Sequence, residues 1–197
     1  MQELLPMPFA SCFYICAGMF LCGCVAGVFI GMRVQGDAEF VQLLTGAADV
    51  FRTGSCTADF LSCFRELVLF FLPLFLCAFC IPGVAAVPIL SALRGLSYSL
   101  TCCLAVRVYG GGLLTPFILT GPGTFLTLPL FIVAAAVSLS YSAALAASVF
   151  SRRHDMRRVV YSPYFFFILC SAGICAMFAL LDQLLAPLLT AQLLAAA

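Results

Sequence analysis

The sequence predicts an all-α, polytopic helical membrane bundle, and three observations carry that expectation. Hydrophobic residues make up 64% of the chain and charged residues 9%, and the mean hydropathy is +1.19, all far outside soluble globular usage. The apolar residues fall in runs of helix length, and a helix rising ~1.5 Å per residue needs about 20 of them to cross a hydrocarbon layer of about 30 Å. Pro/Gly turns or charged stretches separate the runs, which is the punctuation of a multi-pass chain. With 197 residues and no polar block the size of a soluble domain, a single integral membrane domain over 1–197 is expected.

Five spans are expected. The first, about 9–32, is too long for the apolar region of a signal peptide and lacks the basic residues and small-x-small cleavage site that flank one, so it reads as a retained helix. The second, about 65–81, stops at Pro82-Gly83, a tight turn between antiparallel helices. The third covers about 83–106. After it comes "GGGLLTPFILTGPG", whose ten or so apolar residues would extend only ~15 Å as a helix. The stretch 111–121, interrupted by Pro116 and ended by Gly121, Pro122 and Gly123, therefore reads as a re-entrant or interfacial half-helix. The fourth and fifth spans are about 125–150 and 161–185.

Between the first two spans, residues 35–64 mix charges with apolar residues at three- and four-residue spacing. Phe40, Leu43, Leu44, Ala47, Val50 and Phe51 share one helical stripe, predicting an amphipathic segment with its apolar face on the membrane or on the bundle. Thr57 suits an N-cap for a short helix leading into the second span.

Orientation rests on "SRRHDMRRVV". Arg152, Arg153, Arg157 and Arg158 crowd one short loop, which the positive-inside rule places in the cytoplasm. Counting outward gives a cytoplasmic N-terminus, with segment 35–64, the half-helix and the C-terminus all external. The nine basic residues are all arginines, balanced by eight acidic ones to a net charge of +1, with no basic stretch to hold nucleic acid. The lipid bilayer is the expected partner and nucleic acid is not.

Most of the 12 cysteines lie inside apolar runs, where cysteine acts as a small packing residue. The lone His154 sits in the arginine loop, so no metal site and no cofactor site is expected. A hydrolase needs a nucleophile with its base, a carboxylate pair or converging metal ligands. The sequence displays none of these, and no catalytic residues are assigned.

Two intramembrane features stand out. Gly23, Gly27 and Gly31 form a GxxxGxxxG ladder on one face of the first span, spacing that lets a second backbone approach closely. The partner expected is another span of the same chain, although the ladder is also compatible with a homo-oligomer. In "PILSALRGLSYSL", Arg94 lies near the middle of the third span, ~17 Å from either end and barely within snorkelling reach of an interface. Ser91, Ser97, Tyr98 and Thr101 share its face at helical spacing, so the stripe reads as an intramembrane polar site. A helix-anchoring arginine and the midplane site of a transporter or flippase-like permease both fit such a stripe; no inverted repeat accompanies it.

"ALRGLSYSL" after a Pro-Gly turn, the loop "VYGGGLLTPFIL" and "TGPGTFLTLP" leading into a long apolar span resemble the stage II sporulation protein M family of endospore-forming bacteria. Arg94 and Gly95 match that family's basic-Gly pattern in the third span, and Pro122 and Pro129 its motif at the start of the fourth. Gly123 and Thr124 stand where the family carries larger amide residues. The resemblance implies a non-enzymatic scaffold in the bacterial cytoplasmic membrane. Such a scaffold would recruit cell-wall hydrolases similar to stage II sporulation proteins D and P to the septal membrane during engulfment.

Overall fold

The computed structural model describes residues 9–33, 60–109, 122–150 and 162–196. The described residues form five α-helices and no strand: α1 (Phe9–Arg33), α2 (Phe60–Cys77), α3 (Gly83–Tyr109), α4 (Pro122–Phe150) and α5 (Ser162–Ala196). Four of them contain stretches long and apolar enough to cross a membrane, namely Phe9–Arg33, Gly83–Cys103, Phe125–Val149 and Pro163–Leu181. In α2 the corresponding described stretch is the shorter Val68–Cys77. The amphipathic segment expected over 35–64 lies outside the described residues up to position 59, and its last residues are the first turns of α2. The half-helix expected over 111–121, with Pro116 and Gly121, and the loop bearing Arg152, Arg153, Arg157 and Arg158 also lie outside them. The helices do not coincide with the expected spans at every end: α2 runs Phe60–Cys77 where the expected span covers about 65–81, and α5 continues to Ala196, past the expected end near 185. Hydropathy marks where apolar residues stop, whereas the helical hydrogen-bond ladder can continue past the hydrocarbon boundary.

α4 is the centre of the bundle and packs against each of the other four helices. Its composition explains the position. Ala134, Ala135, Ala136, Ser138, Ser140, Ser142 and Ala144 are all buried, and side chains this small let neighbouring backbones close in from several directions. Larger groups fill the space where α4 meets α2 and α5. Phe71 and Phe131 pack edge to face with centroids 5.5 Å apart, and Tyr164 lies 6.2 Å from Phe75 and 4.7 Å from Tyr141. Edge-on and tilted geometries suit the negative faces and positive edges of the rings.

Helix directions follow from the contacts. Gly23 lies against Ala92, Gly27 against Leu96 and Ser99, and Gly31 against Cys103, so α1 and α3 run parallel. Phe71 meets Phe131 and Cys80 meets Ser142, so α2 and α4 also run parallel. Tyr164, near the start of α5, touches Phe75 and Phe79 near the end of α2. The start of α1, the α2–α3 turn, the end of α4 and the start of α5 therefore share one end of the bundle. At the other end lie Arg33, Phe60, Tyr109 and Pro122, the anchor points for segments 34–59 and 110–121.

Candidate functional site: the α1–α3 seam and the ties to the α2–α3 turn

The buried residues of α1 are Cys12, Cys16, Phe20, Gly23, Gly27 and Gly31, spaced by three or four so that they line one face. That face is pressed on α3. A Cβ at Gly23 would overlap the Ala92 carbonyl, and one at Gly27 would overlap Ser99 Oγ and come within 2.6 Å of the Leu96 carbonyl oxygen. At Gly31 the clearance is larger, 3.1 Å to Cys103 Cβ. The approach is reciprocal, because a Cβ at Gly95 of α3 would overlap the Phe20 carbonyl of α1. The partner of the ladder is thus α3 of the same chain. Gly95 and Ser99 are seam residues that the sequence reading did not single out for packing; Ser91, Gly95, Ser99 and Cys103 at four-residue intervals are the signal that could have found them.

The polar stripe divides. Ser91 is fully buried; its hydroxyl donates to the Val87 carbonyl at 3.0 Å, and it lies beside Cys16 of α1 across the seam. Ser97 donates back to the Arg94 carbonyl at 3.0 Å, and Thr101, which is exposed, to the Ser97 carbonyl at 2.9 Å. Tyr98 is half-buried and lies beside Cys102, one turn along. Arg94 itself turns to α2, where its guanidinium carbon lies 4.0 Å from the centroid of the Phe70 ring. The arginine is only half-buried, and the ring's negative face offers its charge an electrostatic partner at membrane depth. Ser91 and Arg94 therefore serve different helix contacts.

A second polar system, which the sequence reading missed, joins α4 and α5 to the α2–α3 turn. Tyr164, with no exposed surface, donates its hydroxyl to the Phe75 carbonyl at 3.0 Å and lies 3.1 Å from Ser138 Oγ. One turn along α4, Ser142 donates to the Cys80 carbonyl at 2.8 Å. A Cβ at Gly83 would overlap the Cys77 carbonyl and lie 2.7 Å from Ser142 Oγ, so only glycine lets α3 start beneath α4. Serines four apart inside an apolar helix were the available signal.

Pro122 and Gly123 form the first turn of α4 and Pro129 lies within the helix. Among the described residues every buried side-chain nitrogen or oxygen has a hydrogen-bond partner, ten cysteines of α1, α3, α5 and the end of α2 with its turn are free thiols, and no three His, Cys, Asp or Glu converge to hold a metal. Compared with known proteins, the chain matches no family, no curated protein and no solved structure.

Proposed function

We infer that this chain is a non-enzymatic membrane scaffold of the kind implied by its resemblance to the stage II sporulation protein M family. It crosses a bacterial cytoplasmic membrane five times, with its N-terminus cytoplasmic and its C-terminus external. At the mother-cell engulfing membrane it recruits and holds cell-wall hydrolases similar to stage II sporulation proteins D and P.

The observation that carries this reading is how the buried polar groups are used. Ser138, Ser142 and Tyr164 bond between α4, α5 and the end of α2 with its turn, while Ser91, Ser99, Ser140 and Ser171 bond back to carbonyls of their own helices, so these buried hydroxyls are spent on the protein itself and not on a ligand. A bundle tied in this way can serve as a mount for other proteins. The half-buried guanidinium of Arg94 favours a carrier with a midplane site as the second reading, since intramembrane charge commonly marks a substrate path.

Co-purification from native membranes in mild detergent separates the two. A scaffold retains peptidoglycan-degrading enzymes and gives no substrate-dependent flux in liposomes. A chain that retains no hydrolase but supports such flux is a carrier.

A further inference from the structure

Residues 67–93, which contain the end of α2, the turn and the first half of α3, include no Asp, Glu, Lys, Arg or His. The turn itself, 78–82, reads Ala-Phe-Cys-Ile-Pro. A connection between spans normally carries polar residues that hold it at the water boundary; this one has none. Its surface is apolar as well: Phe79 is 39% exposed, Ile81 37% and Val84 38%.

The backbone is arranged to match. The amides of Ala78, Phe79 and Cys80 donate to carbonyls of the last turn of α2, and those of Gly83, Val84, Ala85 and Ala86 to carbonyls of the turn itself, at 3.0–3.3 Å, which leaves Ile81 as the one turn amide outside this set. Pro82 has no amide to satisfy. Hydroxyls from α5 and α4 reach in to bond the Phe75 and Cys80 carbonyls. Non-helical backbone survives at hydrocarbon depth only when neighbouring protein groups meet its hydrogen-bonding needs in this way, whereas a turn in water would be met by solvent. The turn is also set back from the end of α4, while the starts of α1 and α5 lie at about its own level. Ser142 lies level with Cys80, and α4 continues from there to Phe150, ~12 Å further at helical rise.

We propose that the α2–α3 turn does not reach the aqueous phase but lies submerged in one leaflet, in contact with lipid acyl chains. Lipid is the occupant, rather than a second copy or a partner protein, because among the described residues Phe79, Ile81 and Val84 of the turn's surface are apolar and supply no polar rim of the kind that surrounds protein interfaces. The hairpin then makes a shallow apolar recess beside α4, filled by acyl chains.

The chain contains no tryptophan, so a single introduced one reports its own surroundings. Ile81→Trp and, near the end of α4, Val149→Trp are purified and reconstituted separately in phosphatidylcholine vesicles. Ile81→Trp is expected to emit further to the blue and to lose most of its emission to lipids brominated on the acyl chain and little to aqueous acrylamide. Val149→Trp is expected to show a severalfold larger acrylamide-to-bromolipid quenching ratio. Val84→Trp, on the same exposed surface, repeats the measurement should Ile81→Trp fail to accumulate. Acrylamide quenching of the turn tryptophan equal to that at 149 would overturn the proposal by placing the turn in water. Protection from both quenchers would overturn it too, by showing that protein covers the turn.

Discussion

Replacing Tyr164 by Phe removes one oxygen from the largest fully buried side chain among the described residues and leaves its ring in place. The oxygen donates to the Phe75 carbonyl at 3.0 Å and meets Ser138 Oγ at 3.1 Å. Side-chain hydrogen bonds between membrane helices average about 0.6 kcal/mol and reach about 1.7, so the pair contributes about 1.2 kcal/mol. The larger penalty of an orphaned buried polar group, about 1–3 kcal/mol in water-soluble proteins, does not apply in full. The Phe75 carbonyl keeps the Ala78 amide at 3.3 Å, and Ser138 can turn back to a carbonyl of its own helix. The aromatic contacts with Phe75, Phe79 and Tyr141 survive in Tyr164→Phe. The expected loss is therefore about 1 kcal/mol, about a fivefold fall in the folding constant, measurable by reversible unfolding in bicelles. Combining Tyr164→Phe with Ser138→Ala should give less than the sum of the single losses, because both remove the same contact. Full additivity together with a Tyr164→Phe stability equal to the parent's would refute the tie between α4, α5 and the turn.

The remaining predictions concern the seam, the arginine and the orientation. Gly27→Leu should reduce accumulation and stability severely, because its Cβ would overlap Ser99 and the Leu96 carbonyl, whereas Gly18→Leu, with nothing within 4 Å of its Cβ, should be tolerated; equal behaviour of the two would remove the ladder from the fold. Phe70→Leu should weaken the bundle by about 0.5–1 kcal/mol through loss of the ring beneath Arg94. Arg94→Lys keeps a cation and should be milder than Arg94→Leu in partner retention, so identical hydrolase pull-down by all three would mean that Arg94 plays no part in the scaffold. In a cysteine-free variant, a new cysteine between 151 and 160 should resist membrane-impermeant thiol reagents in intact spheroplasts, while one near 190 reacts; the opposite pattern inverts the orientation.

The class of the molecule was legible in composition alone, because lipid as a solvent imposes long apolar runs that no soluble domain displays. The turn at Pro82-Gly83 and the one-sided glycine spacing of α1 were legible for a local reason, since both depend on backbone conformation and helical register within a few residues. Tertiary structure alone decided which helix lies where. It set α3 against the glycine face, placed α4 in the middle, aimed Arg94 at Phe70 and brought Tyr164 and Ser142 to the turn. In water an amphipathic pattern points each helix's buried side inward. In a bilayer, acyl chains are as apolar as leucine, so a helix that is hydrophobic all round carries little periodic sign of which face meets protein. Neighbours are then chosen by shape and by a few hydroxyls, and a hydroxyl's partner, such as a carbonyl 89 residues away for Tyr164, exists only once the chain has folded.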